Sequence, residues 1–231
     1  VTGITADLEM QSSQPATMTD LLRIHTKEYL EKFKALSEVD GGLLGLRTPF
    51  ARDGFEIAAL SSGLAISAIK DVLKGKYKNS YSLSRPPGHH CLPDYPNGFC
   101  LLANIAIAID SAISENLGKK FCVIDWDVHH GNGTEAIFYD RDDVFTISIH
   151  QERNYPVDTG METDKGKGEG LGYNVNLPLP AGSGHNTYLN LFDRVISPLV
   201  SNYRPDIIIV ACGFDAAMID PTSSMLCSAE T

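Results

Sequence analysis

A chain of 231 residues, 43% of them hydrophobic and 21% charged, is long enough to bury the core of one substantial domain without cross-links. Its formal net charge of −10, with no basic block, excludes a protein built to grip the phosphate backbone of nucleic acid and is compatible with a cationic substrate. No apolar run could cross a bilayer, and the five cysteines (Cys91, Cys100, Cys122, Cys212, Cys227) are scattered without C-x-x-C spacing, so neither a membrane protein nor a disulfide framework is expected and a reducing cytoplasm is the expected setting.

Residues 1–18 are polar and weakly patterned and read as loop. Over 19–36, Leu22, His25, Tyr29, Phe33 and Leu36 recur at helical spacing behind Thr19 or Asp20 as cap, which predicts one helix with His25 packed on its apolar stripe. The Gly-rich stretch 41–54 is aperiodic and reads as loop, with Asp40 and Asp53 as solvated carboxylates. A second helix is predicted over 56–73, closed by Lys74-Gly75-Lys76. A short strand over 79–84 then feeds Arg85-Pro86-Pro87-Gly88-His89-His90, where two prolines stiffen the turn that carries tandem histidines. Positioned imidazoles of this kind suit general acid–base work. A turn-rich loop, 94–99, leads to a helix over 101–117 that is apolar nearly all round and therefore buried, with Gly118 closing it.

The stretch 121–133, Phe-Cys-Val-Ile-Asp-Trp-Asp-Val-His-His-Gly-Asn-Gly, begins as a buried strand and breaks into polar residues. If the strand persists, Asp125, Asp127 and His129 share one face at its carboxyl end, where parallel α/β sheets bind ligands. A short helix through Phe138, a strand over 144–150, a Gly-rich loop over 151–172, a strand over 173–179 and a helix over 186–200 bent near Pro198 follow. The most apolar strand, 206–210, delivers Asp215 as the strand beginning at Phe121 delivers Asp125, and 216–231 read as loop. Alternating strands and helices predict a single α/β domain with a mostly parallel sheet.

Asp127, His129 and Asp215 together would offer a divalent metal two oxygens and one nitrogen and leave a position open, the arrangement of catalytic rather than structural sites. His90 could move a proton to and from the reacting groups, with His89 behind it and Asp125 and Asn132 orienting the rings. That set points to a hydrolase of an amide or related acyl bond.

Five ordered motifs, RPPGHH at 85–90, NGFC at 97–100, DWDVHHGNG at 125–133, SIH at 148–150 and CGFDAA at 212–217, resemble the zinc-dependent histone deacetylase family, closest to its class II-type and bacterial amidohydrolase branch. The resemblance implies the arginase–deacetylase fold and removal of acyl groups from lysine side chains or from polyamines, so that an acylated lysine peptide or an acylated polyamine is the expected partner. It implies Asp127, His129 and Asp215 as Zn2+ ligands, His89 with Asp125, and His90 with Asn132, where much of the family has an aspartate. It implies Gly98, Phe99 and Tyr155 as substrate-binding residues, the two aromatics lining a tunnel for the lysine stem. It also implies K+ at an inner site formed by Asp125, Asp127, His129, Ser148 and Ile149, largely through backbone oxygens, and at an outer one formed by Phe138, Arg141, Val144 and Tyr173. The family's oxyanion donor, a tyrosine or histidine beyond the second aspartate motif, has no counterpart before Thr231. The expectation is therefore an incomplete catalytic domain, to which a second copy in a homo-oligomer could lend the missing part, with an inactive metal-binding module as the competing reading. A binuclear manganese ureohydrolase is disfavoured, because His130-Gly131 stands where that family has another aspartate.

Overall fold

The computed structural model describes Gly3 and residues 7–231. Of the opening stretch read as loop, residues 1, 2 and 4–6 lie outside the described residues, while 9–17 carry no regular structure. The helix expected over 19–36 is two helices, α1 (Met18–Leu21) and α2 (Lys27–Ser37). Two threonines account for the break. Thr17 forms a capping box with Asp20, and the Thr26 hydroxyl accepts the Tyr29 N–H at 3.3 Å, starting a fresh helix. His25 lies in the connection rather than on a helix, buried, donating from Nδ1 to the Pro93 carbonyl and accepting the Ala103 N–H at Nε2, both at 3.0 Å.

The stretch 41–54, expected as loop, contains an antiparallel hairpin of β1 (Gly41–Leu43) and β2 (Pro49–Ala51), strands too short to show a period. The long helix α3 (Gly54–Leu73) follows and packs on α4 (Asn104–Ser114). The expected strand over 79–84 does not form: Tyr81 and Leu83 are exposed and the segment pairs with nothing among the described residues. The helix expected from 101 starts only at Asn104, whose amide accepts from Ser62 Oγ (2.7 Å) and donates to Ser61 Oγ and the Pro86 carbonyl (3.0 Å each). Those bonds fix the helix start against α3 and hold the proline turn beside it.

The remaining elements are β3 (Phe121–Asp125), α5 (Asn132–Phe138), β4 (Val144–Gln151), β5 (Asn174–Leu179), α6 (His185–Leu191), α7 (Ser197–Tyr203) and β6 (Ile207–Ala211). A π turn at Phe192–Ile196 joins α6 to α7, so the helix expected over 186–200 is interrupted just before Pro198, which has no N–H to continue the ladder. The sheet is wholly parallel in the order β5-β4-β3-β6, with β3 bonded on both sides. Phe121 and Val123 face a core shared with α2, α3 and α4, while Cys122 and Ile124 face one shared with Tyr188, Ile196 and Tyr203. Burial on both faces is why β3 reads as an unbroken apolar run. Among the described residues no helix is long and apolar enough to cross a membrane.

Candidate active site

The strand does not persist through His129. It ends at Asp125, and residues 126–131 form a turn whose path is set by side-chain to backbone bonds two residues apart. Asp125 Oδ1 accepts the Asp127 N–H (3.1 Å), and Asp127 Oδ1 accepts the His129 N–H (2.9 Å). The alternation of polar residues thus marks a chain of Asx turns rather than one strand face. Asp215, four residues past β6, joins this turn by accepting the Val128 N–H at Oδ1 (2.8 Å). Gly213 permits the approach, since a Cβ there would sit 2.3 Å from Asp127 Oδ2.

The result is a convergence of three donors. His129 Nδ1 lies 2.9 Å from Asp127 Oδ1 and 2.8 Å from Asp215 Oδ2, and the three side chains are the one group of metal-ligating type found among the described residues. Two carboxylate oxygens and an imidazole nitrogen suit zinc or another divalent first-row ion, so the donor chemistry fits the metal that the resemblance implies. The two carboxylates overcome the effect of burial and push His129 up to about 9, a measure of the negative field that a cation would meet there.

His89 and His90 stand beside this group, buried, with ring centroids 3.9 Å apart. His89 Nδ1 bonds Asp125 Oδ2 at 2.8 Å, and His90 Nδ1 bonds Asn132 Oδ1 at 2.8 Å. Both partners arrive as the resemblance implies, Asp125 from the end of β3 and Asn132 from the start of α5. Burial opposes charge on both rings. For His89 the Asp125 and Asp127 carboxylates outweigh it and push the imidazole up to about 9, whereas His90, facing a neutral amide and a cationic neighbour, is held well below its ordinary value. The surroundings thus favour the charged form of His89 and the neutral form of His90.

Gly98 approaches His90 with φ +51, where a Cβ would lie 2.3 Å from the ring, so the position demands glycine. Tyr155 is half-buried, perpendicular to His90 at 5.2 Å and 6.2 Å from His129, and its hydroxyl bonds Asn97. Phe99 is 59% exposed on the rim. Of the inner potassium set, Asp125, Ser148 and Ile149 are buried, with Asp125 and Ser148 in register on β3 and β4 and lining a cavity of about 10 Å³, room for one water-sized particle. The outer set lies at the other end of the sheet. Phe138 accepts the Arg141 N–H, Tyr173 accepts the Thr146 N–H, Val144 opens β4, and the Arg141 guanidinium is committed to Asp110 and Asp143 at 2.7 Å each.

Sequence reasoning missed a buried polar network behind the site. Glu135 accepts from Asn174 and Asn176 (2.7 and 2.6 Å), the same amides hold the Asp164 and Met161 carbonyls, His130 bonds Thr159, and His150 bonds Ser148 and the Gly160 carbonyl. These contacts order the Gly-rich loop that carries Tyr155. The signal was present: Thr146, Ser148 and His150 are the polar half of an alternating strand whose other face is apolar.

Comparison with known proteins places the chain in a family. A family model described as the histone deacetylase domain matches residues 1–231. A histone deacetylase-like amidohydrolase of Pseudomonas aeruginosa is 50% identical over 225 residues, covering 97% of this chain and 59% of its own length. A probable deacetylase of Methanothermobacter thermautotrophicus is 42% identical, covering 97% of this chain and 68% of its own. A solved HDA15 HD domain superposes with a TM-score of 0.90 at 34% identity, covering 94% of this chain and 64% of that one, so the fold is the arginase–deacetylase fold. With its whole length matched by one family model and the fold of a solved relative reproduced, the chain belongs to the histone deacetylase family.

Proposed function

We propose that residues 1–231 form part of one catalytic domain that hydrolyses the acyl-amide bond of N-acyl-lysine side chains. The observation that carries this reading is the convergence of Asp127, His129 and Asp215 beside the adjacent rings of His89 and His90, each held at Nδ1 by its own partner. Asp127, His129 and Asp215 would hold a zinc ion, which supplies polarisation of the scissile carbonyl and acidification of water. His90, whose Nδ1–H donates to Asn132 Oδ1, presents an unprotonated Nε2 that takes a proton from the nucleophile and returns it to the departing amine nitrogen. His89, paired with Asp125, supplies fixed positive charge against the oxyanion side of the reaction. The Gly98 carbonyl receives the substrate amide N–H. Tyr155 and Phe99 flank the aliphatic stem, an apolar passage for methylenes with the polar end outside. Asp125, Asp127, His129, Ser148 and Ile149 would hold an inner potassium ion, and Phe138, Arg141, Val144 and Tyr173 an outer one, through the hard oxygen donors such ions prefer.

The test is acetate release from an acetyl-lysine peptide by the chain carrying one equivalent of zinc, beside His90→Ala and beside a chelated sample. Turnover lost in both controls supports the reading. Zinc bound at one equivalent without turnover would overturn it in favour of a metal-binding module. Faster release from acetylspermidine than from the peptide would move the substrate class to acylated polyamines.

A further inference from the structure

The hairpin β1–β2, which the sequence hides, is stitched to the substrate loop. The Gly98 N–H donates to the Leu46 carbonyl (3.1 Å), the Phe99 N–H donates to the Arg47 carbonyl (3.0 Å), and Leu46 pairs with Asn97 as a parallel bridge. The Leu46 N–H is accepted by the Tyr95 hydroxyl (3.1 Å), and the Gly45 N–H by the buried hydroxyl of Thr48 (2.9 Å). At the centre of these bonds Arg47 and Phe99 both stand in the left-handed region, φ 58 and 65, which side-chain-bearing residues enter at a cost and keep only where the surroundings hold them. The strain falls on two residues joined by a backbone hydrogen bond, one of them the exposed Phe99 at the rim of the site.

Arg47 uses that position. Arg47 is exposed and, like most arginines of the chain, has no carboxylate partner among the described residues. Its guanidinium lies 5.3 Å from the centroid of Tyr155, the ring that packs against His90 and His129. A fixed cation is therefore held one aromatic ring away from the histidines, in a chain whose net charge is −10. An acyl-lysine stem passing Tyr155 would bring the atoms around the lysine α-carbon out to this guanidinium. We propose that Arg47 is a specificity-determining residue that selects substrates placing a carboxylate at the mouth of the site and turns away polycations. The proposal rests on the deacylase reading and deepens it, naming the charge of the substrate it takes. The carboxylate comes either from an acidic residue next to the acyl-lysine or from the α-carboxylate of the acyl-lysine itself.

The experiment measures binding and turnover separately on the zinc-loaded chain at two ionic strengths. The probes are fluorescent acetyl-lysine peptides differing only in Glu or Lys beside the modified residue, with free acetyl-lysine and its amide, and acetylspermidine, as competitors. The Glu peptide is expected to bind about three- to fivefold more tightly than the Lys peptide at low salt, the preference shrinking as salt rises. Arg47→Ala should abolish the preference and Arg47→Glu reverse it, with an effect on KM and not on kcat. Ala shares the Cβ of Arg, so the backbone cost at φ 58 is unchanged, and equal thermal stability of the variants would confirm intact folding. If the acid outcompetes its amide and the flanking Glu has no effect, the α-carboxylate is the group read. An identical Glu-to-Lys ratio and acid-to-amide ratio in all three proteins, or tighter binding of acetylspermidine by the wild type than by Arg47→Glu, overturns the proposal. An Arg47-dependent preference without acetate release would leave it standing and overturn the deacylase reading instead.

Discussion

Substituting His25 with phenylalanine keeps a ring of similar volume against Tyr29, whose centroid lies 5.4 Å away, while removing both nitrogens. The Pro93 carbonyl and the Ala103 N–H would then be left without partners at a position only 3% exposed. Each orphaned buried group costs about 1–3 kcal/mol, so the substitution should cost about 2–6 kcal/mol, a large share of an ordinary domain's stability. The same bonds predict a pH signature. Burial is the main cause that lowers the folded-state pKa of His25 from 6.5 to about 4, and protonation at Nε2 would break the bond to Ala103. The unfolded chain binds this proton more readily than the folded one, so stability is intact above about pH 6.5 and falls as pH drops toward about 4. Between pH 7.5 and 5.0 this one group should remove about 2 kcal/mol from the wild type. Urea unfolding at the two pH values, followed by circular dichroism, gives both quantities. A cost below about 1 kcal/mol, or a pH dependence the same in His25→Phe as in the wild type, would refute the reasoning. Pro93 and Ala103 bracket the loop that carries Gly98 and Phe99, so the variant should also loosen the substrate side of the site.

Three further outcomes can be checked. Asp127→Asn or Asp215→Asn should weaken zinc binding by at least about 100-fold in competition with a chromophoric chelator, because each removes a charged donor from a set of three. Asn132→Asp places a carboxylate on His90 Nδ1 and should raise the pKa of that ring; since the neutral ring is the base, the acid limb of activity moves to higher pH, visible by NMR titration and in the rate profile. Gly98→Ala forces a Cβ within 2.3 Å of His90 at φ +51 and should cut turnover by more than tenfold while costing about 1–3 kcal/mol of stability, read from parallel rate and denaturation measurements.

The parts of the site legible in the sequence are those in which chemistry and local order coincide. Asp127 and His129 were legible because polar residues interrupt an apolar strand, although the reason was a chain of Asx turns and not a prolonged strand. The His89 and His90 partners were legible through the family motifs, and the structure brings both within 2.8 Å. The hairpin carrying Arg47 was not, since three-residue strands have no measurable period and the register is fixed by contacts with residues 95–99. The helix break at 22–26 was hidden because His25 keeps the apolar stripe unbroken while Thr26 caps a second helix. The strand expected over 79–84 shows the converse: β-prone residues that find no neighbouring strand among the described residues stay unpaired.

The connection from Asp215 Oδ1 to the Val128 N–H spans 87 residues of chain. Asp127 and His129 are placed by bonds within their own turn and can be ready early, but the third donor arrives only after β6 has docked along β3. An ion that needs all three would bind the assembled sheet and ignore the turn alone, so its arrival would time the closing of the longest-range contact in the site. Rapid-mixing refolding with a metal-sensitive dye would then report the docking of one strand, and trace metal in the buffer would act as a latch on that step, slowing local opening without altering how the chain first collapses.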